Sequence, residues 1–365
     1  MLIALRVVVG LAGAALVVAI SLSAVRTVVL PRGSSAAVTR YLFRTTRKLF
    51  ELRLRTVKTY EERDRVMALY APISLVLLPG VWLVAVIMGF AGIFWGIQGH
   101  SVRAAIVLSG SSITTLGFSA PHGDPADIGA VVEATIGLGL VALLISYLPS
   151  IYSGFQRREL QVAMLEVRAG DPPSAVKMIR RHQAIGWLDT SSELFARWEE
   201  WFADIEETHT SQASLVFFRS PLPGRSWITA AGAVLDGAAL MLSAVDNGPT
   251  PNAQLCVRAG FLSLRRIADY FGIGYDPDPA PTDPISIDRS EFDAAVAELR
   301  DGGVPIVADL EQAWRDFAGW RVNYDQVLLA LAGLVMAPYA PWSSDRSVRV
   351  PLGPLTHRHP RRRAG

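Results

Sequence analysis

Three long apolar runs constrain this chain more than any other feature. A helix needs about 20 mostly apolar residues to cross a bilayer. Residues 7–25, 71–97 and 128–151 each meet that length. The third run contains one acid, Glu133, and Pro149 near its end. Charged residues make up 19% of the chain, against roughly 25% in an average soluble domain. A fully soluble enzyme and a disordered chain are therefore excluded. A disulfide framework is excluded too, because Cys256 is the only cysteine.

The connection between the first two runs sets the expected orientation. Residues 26–66 hold eleven bases (Arg26, Arg32, Arg40, Arg44, Arg47, Lys48, Arg53, Arg55, Lys58, Arg63 and Arg65) against four acids (Glu51, Glu61, Glu62 and Asp64). Short basic loops stay in the cytoplasm. The expected protein is a multi-pass protein of the cell membrane, with its N-terminus outside and everything after Tyr152 in the cytoplasm. Gln156-Arg-Arg-Glu159 marks the inner end of the third span. Tyr41, Leu42, Leu49, Phe50, Leu52, Leu54 and Val57 alternate with bases and contain no Gly or Pro among them. Two readings fit that pattern: an amphipathic helix on the membrane surface, or a cytoplasmic extension of the second span.

Between the second and third runs lies a stretch that fits neither water nor a full crossing. Ser101 can cap a short helix to about Ile113, too short to span and too apolar for solvent. Thr114-Thr-Leu-Gly-Phe-Ser119 follows, with neither helical nor strand periodicity. Asp124 then suits the cap of the third span, Pro125 its first position and Asp127 the reciprocal capping site. Irregular backbone at membrane depth is tolerated only where protein buries it or it lines water. The segment 101–123 therefore reads as a re-entrant loop. A half-helix entering it aims the negative end of its dipole at the membrane centre, where it favours a cation. Carbonyls of the loop could replace a cation's hydration shell. Gly117 supplies backbone angles that a side chain would resist.

A spanning helix, a short pore helix, Thr-Thr-x-Gly-aromatic and a second spanning helix together resemble the pore module of the tetrameric potassium channel family. The similarity covers about residues 73–155. The resemblance implies that Thr115, Leu116, Gly117 and Phe118 line a selectivity filter, with Thr114 just below it. It also implies an inner helix hinged at Gly137 or Gly139, and four copies around one pore. Where the family usually reads Thr-Val-Gly-Tyr-Gly-Asp, this chain reads Thr-Leu-Gly-Phe-Ser-Ala. The second glycine is thus Ser119, and Phe118 lacks the tyrosine hydroxyl.

Other residues receive roles from their positions. Glu133 lies near the outer end of the inner helix. It is expected to support the filter, accepting hydrogen bonds from Ser111, Ser112 or the pore-helix backbone; reaching out to the headgroups is the other possibility. Asp124 and Asp127 stand at the outer mouth, as helix caps first and as an acidic ring second, with His122 beside them. Pro79 kinks the second span or marks its start.

Residues 156–342 read as a helical cytoplasmic domain. Asp171-Pro-Pro-Ser174 opens a helix to about His182, and Thr190-Ser-Ser-Glu193 is a capping box for 191–209. Further helices are expected at 227–245, 253–271, 291–300 and 310–337. The apolar run at 327–338 is too short to span and suits a buried helix. Arg258, Arg265 and Arg266 read as one solvated basic face. Residues 276–284 read as a solvated proline-rich loop. The tail 343–365 is basic and reads as disordered.

The expected architecture is thus an all-α membrane protein: an N-terminal transmembrane helix (1–30), a basic amphipathic segment (31–68), the pore module (69–155), the helical domain and the tail. No Gly-rich phosphate loop, metal-spaced His/Cys cluster or nucleophile–base set appears in the sequence. The expectation is a homotetrameric cation channel in the lipid bilayer, passing potassium, with no enzymatic activity, cofactor, resident metal or nucleic-acid partner. The alternative is a non-conducting sensor or scaffold whose helical domain binds a partner.

Overall fold

The computed structural model describes residues 2–28, 37–57, 59–99, 101–188 and 191–347. The described residues form helices and turns, with one isolated antiparallel bridge between Val245 and Ile306 and no β-strand. Three helices are long and apolar enough to cross a membrane. The chain divides into two compact units, Met1–Thr56 with Leu69–Tyr152, and Val57–Ala68 with Ser153–Gly365.

The first unit is built on α1 (Leu2–Val28), α2 (Ala37–Leu54) and α4 (Tyr70–Gln98), joined by α5 (Val102–Ile113) and the first part of α6 (Asp124–Ala169). The α1 and α4 helices meet along glycines. A Cβ on Gly13 would lie 2.3 Å from the Gly89 carbonyl oxygen, and one on Gly96 would lie 2.9 Å from that of Arg6. Small residues are what allow helix backbones to close up in lipid. Arg6 then ties off the end of α4 by donating to the Gly99 carbonyl at 3.0 Å. Gly99 ends α4 in the left-handed region, at φ 69°. Pro79 sits inside α4, as its tenth residue. The core of this unit includes Val17, Ile20, Trp82, Val86, Phe90, Phe94, Leu108 and Ile113.

The basic connection resolves into two helices. The α2 helix is a separate amphipathic element, and a second short helix, α3 (Tyr60–Ala68), precedes α4. Pro125 lies in the first turn of α6, but Asp124 is the first helical residue rather than its cap. The Gly123 carbonyl accepts the amides of Ala126 and Asp127 at 2.9 and 3.1 Å, and Gly123 itself adopts φ 91°.

The second unit packs α7 (Ala175–Ala184), α8 (Ser191–Ser211), α9 (Trp227–Ser243), α10 (Pro251–Phe271), α11 (Arg289–Asp301), α12 (Leu310–Arg321) and α13 (Asp325–Val335) around buried aromatic and aliphatic side chains. Ser174 caps α7, accepting the Lys177 amide at 3.4 Å. Thr190, of the expected capping box, lies outside the described residues, as does the tail from 348 on. The α9 helix is buried along nearly its whole length and α13 along most of it.

Two expectations for this unit need correction. The expected helix at 310–337 is two helices, broken over residues 322–324. The break lets Arg321 reach Asp236 and Asp325 at once. Arg265 is not solvated. It is buried, donating to the Asn323 carbonyl at 3.0 Å and the Pro277 carbonyl at 2.9 Å. Arg258 remains exposed, and Arg266 pairs with Glu206.

Arg158, read from sequence as a marker of the membrane edge, is also fully buried. Its guanidinium donates to the carbonyls of Leu215 at 2.7 Å and Phe218 at 2.8 Å, and pairs with Glu159. His209 touches the same guanidinium at 3.3 Å. Burial first, and the Arg158 charge second, push the His209 pKa well below its ordinary value.

Candidate functional site

The α5 helix begins where its sequence says it should. Ser101 takes extended backbone angles and its hydroxyl accepts the Ala104 amide at 3.2 Å, one of the donors a helix start leaves unpaired. Ala105, Leu108 and Ile113 are buried in the core of the first unit. Ser109, on the same helix, donates to the Ile87 carbonyl of α4 at 3.0 Å. With its flank fixed in this way, α5 delivers its C-terminal end, the negative end of its dipole, to Thr114.

After Thr114 the backbone enters the left-handed region twice. Thr115 has φ 57° and Gly117 has φ 69°, while Thr114, Leu116 and Phe118 stay at negative φ. Glycine enters the left-handed region freely, but a β-branched residue there is an outlier. Such strain costs about 1–3 kcal/mol and persists only where the surroundings impose it. The surroundings here are the end of α5. The Thr115 amide donates to the Ser112 carbonyl at 3.0 Å. The Leu116 and Gly117 amides both donate to the Ser111 carbonyl, at 3.0 and 3.4 Å. The Ser119 amide donates to the Ser111 hydroxyl at 3.1 Å.

The amides of this stretch are thus turned back onto the end of α5. Among the described residues, the carbonyl oxygens of Thr115, Leu116, Gly117 and Phe118 accept no hydrogen bond. That of Thr114 is taken by the Thr115 hydroxyl at 2.7 Å. Leu116 and Phe118 are 70% and 67% exposed. A Cβ on Gly117 would meet nothing within 4 Å, so its requirement for glycine is one of backbone angle alone. Ser119, standing where the resembled pattern has its second glycine, is not left-handed; its amide turns back onto Ser111 instead.

Glu133 is fully buried, which removes the possibility that it reaches the headgroups. Its partner is Ser109 rather than Ser111 or Ser112, with Ser109 Oγ 2.5 Å from Glu133 Oε1. The reason is helical register. Ser111 faces the loop it holds, and the Ser112 hydroxyl bonds back to the Leu108 carbonyl at 3.0 Å. The second oxygen of Glu133, Oε2, is buried without a hydrogen-bond partner. Ser109 is thus the residue that sequence reasoning missed. The sequence offers three serines on this helix, Ser109, Ser111 and Ser112, and does not say which of them faces α4.

The two glycines of α6 expected at the hinge, Gly137 and Gly139, differ. A Cβ on Gly137 would lie 2.4 Å from the Ile113 carbonyl oxygen, so the end of α5 closes against α6 only because this side chain is absent. Gly139 is exposed and has nothing within 4 Å. The helix runs unbroken through both. Asp124 and Asp127 are exposed in the first turn of α6. Gln98 donates to the His122 carbonyl at 3.4 Å.

Chemically, this is a run of four carbonyl oxygens without hydrogen-bond partners beside a helix C-terminus. Such a run is an acceptor-only surface for a cation. Among the described residues no group of three or more His, Cys, Asp or Glu side chains is placed to hold a metal. No family model, curated protein or solved structure matches the chain.

Proposed function

We propose that the chain forms a cation-conducting pore in which four copies face one another, each contributing the carbonyl oxygens of Thr115, Leu116, Gly117 and Phe118 to a path for potassium. One observation carries the reading: the amides of Thr115, Leu116, Gly117 and Ser119 are all spent on the end of α5, while the four carbonyls accept nothing. Oxygens held in that way can stand in for an ion's water shell. A strained Thr115 is the other part of the argument. Its left-handed backbone closes the end of α5, with the Thr115 amide on the Ser112 carbonyl and the Leu116 amide on the Ser111 carbonyl; a β-branched residue in that place is uncommon, and such outliers gather at functional sites.

The exposure of α6 fits the same reading. Ile128, Val131, Leu138, Val141 and Ile145 are exposed along its apolar stretch, surface for lipid or for neighbouring copies to cover. In this reading Ser111 shapes the filter and Ser109 with Glu133 braces the pore helix from behind. Asp124 and Asp127 stand at the outer mouth, and the basic α2 helix lies on the cytoplasmic side. Potassium is the permeant ion, and no cofactor is needed.

Purified full-length protein in liposomes with a potassium gradient tests the proposal. The parent should pass potassium and run as a tetramer in detergent, and Gly117→Ala should lose the flux while remaining tetrameric. A parent that holds the gradient, a Gly117→Ala variant that conducts like it, or a strict monomer or dimer overturns the reading in favour of a non-conducting sensor or scaffold.

A further inference from the structure

Glu133 keeps a carboxyl group where nothing is arranged to carry its charge. It is the tenth residue of α6, past the first turn in which a helix dipole steadies an anion. Gly129 and Gly137 lie one turn to either side of it, and both touch other helices closely. A Cβ on Gly129 would lie 3.0 Å from the Phe94 ring of α4, and one on Gly137 would lie 2.4 Å from the Ile113 carbonyl oxygen of α5. The carboxyl is walled in between those contacts, and Glu133 and Ser109 are both fully buried. Glu133 has no ion-pair partner among the described residues. The α4 helix has no charged residue, and α5 has only Arg103, exposed and six residues before Ser109. Along α6 the nearest charges are Asp127, exposed and six residues before Glu133, and Arg157, 24 residues after it.

The hydrogens around Ser109 can be counted. Its Oγ is 3.0 Å from the Ile87 carbonyl oxygen and 2.5 Å from Glu133 Oε1, both hydrogen-bond distances. A hydroxyl has one hydrogen to give, and the Ile87 carbonyl can only accept it. An ionised carboxylate can only accept as well, so one of the two close oxygen pairs would be left with no hydrogen between them. A carboxylic acid supplies the missing one: Oε1–H donates to Ser109 Oγ, and Ser109 donates onward to Ile87. The other oxygen, Oε2, is buried without a hydrogen-bond partner. On an ionised carboxylate that is an uncompensated buried charge. On a neutral acid it is one unpaired carbonyl oxygen, a far smaller cost.

We infer that Glu133 is a proton-binding site inside the apolar stretch of α6, held as a neutral carboxylic acid at neutral pH, and that its hydrogen completes a two-bond chain from α6 through Ser109 of α5 to the Ile87 carbonyl of α4. Glu133 is then a donor to α5, not the acceptor that its place in the sequence suggests. The proton is a structural part of the joint between the three helices, because removing it sets a bare charge against two other acceptor oxygens. The inference needs no conduction and stands apart from the pore proposal.

Infrared difference spectra of the full-length protein in liposomes at neutral pH test the site. A neutral carboxylic acid shows a C=O stretch on the high-frequency side of the main amide band, whereas an ionised carboxylate shows a pair of bands below it. The parent should carry an acid band that Glu133→Gln loses. Glutamine keeps an N–H donor for Ser109, so this variant should fold as the parent does. Ser109→Ala removes the acceptor and leaves the acid in place, so it should shift the band to higher frequency, and it locates the acid even if Glu133→Gln fails to fold. Carboxylate bands in place of the acid band, in the difference between parent and Glu133→Gln, overturn the inference. So does an acid band that survives Glu133→Gln or that Ser109→Ala leaves unmoved.

Discussion

Ser111 holds the candidate filter by two separate atoms, which makes it possible to cut one and leave the other. Its hydroxyl accepts the Ser119 amide at 3.1 Å, and its carbonyl accepts the amides of Leu116 and Gly117. Ser111→Ala removes only the first. The residue is 1% exposed, so the alanine enters a dry site and adds no strain. A typical hydrogen bond is worth about 0.5–1.5 kcal/mol net, and a buried donor left unpaired costs about 1–3 kcal/mol. Ser119 is half-buried, so water partly replaces the lost acceptor and the lower figure applies, about 1 kcal/mol or a fivefold change in local opening. Hydrogen exchange at residue resolution on the full-length protein reads this directly. The Ser119 amide should lose about fivefold protection, while Leu116 and Gly117 keep theirs. Ser111→Thr, which restores a hydroxyl, should recover it. Equal loss at 116, 117 and 119, or no loss at 119, would refute the division of labour assigned to Ser111.

Other perturbations follow from the same contacts. Burial works against the charge of Arg321, but the carboxylates of Asp236 and Asp325 outweigh it and keep the guanidinium protonated. Arg321→Met strands both acids and should destabilise the protein by about 3–5 kcal/mol in denaturant melts. Adding Asp236→Asn should return part of that loss. His209 titrates well below its ordinary value of 6.5, so below that pH the unfolded chain takes up a proton that the folded chain refuses. Its contribution is complete above about pH 6.5 and falls on acidification by up to about 1.4 kcal/mol per pH unit. The urea midpoint should follow that slope, and His209→Asn should flatten it. Gly137→Ala drives a Cβ against the Ile113 carbonyl and should cost about 1–3 kcal/mol. Gly139→Ala, in open space within a helix, should be neutral or stabilising by up to about 1 kcal/mol in the same thermal melt.

What could be read without coordinates was whatever depends on short stretches of chain. The three spans follow from length and hydropathy, and the start of α5 from a serine ahead of an apolar run. The left-handed angle at Gly117 follows from the residue type. Register between helices was not legible. Ser109 rather than Ser111 meets Glu133 because of how α5 is rotated against α4, a matter of packing with residues far along the chain. The break at 322–324 contains neither Gly nor Pro and answers to Arg321, whose partner Asp236 lies 85 residues away. Arg265 looked solvated for the same reason: its acceptors, Asn323 and Pro277, are brought to it only by the fold. Thr115 carried no warning either, since local preference disfavours the angle that the Ser111 and Ser112 carbonyls impose on it.

The central claim concerns oxygens of the main chain, so the most direct test weakens one of them and leaves every side chain in place. Joining Gly117 to Phe118 through an ester instead of an amide weakens the Gly117 carbonyl as an electron donor and keeps every side chain. The Phe118 amide that this removes donates no hydrogen bond among the described residues, so the loop loses no support. Potassium currents through single proteins in a planar bilayer are the readout. The account predicts a smaller unitary current in the ester protein, with oligomer size and melting temperature unchanged. An ester protein whose unitary current equals the parent's would show that the Gly117 oxygen does not touch the ion.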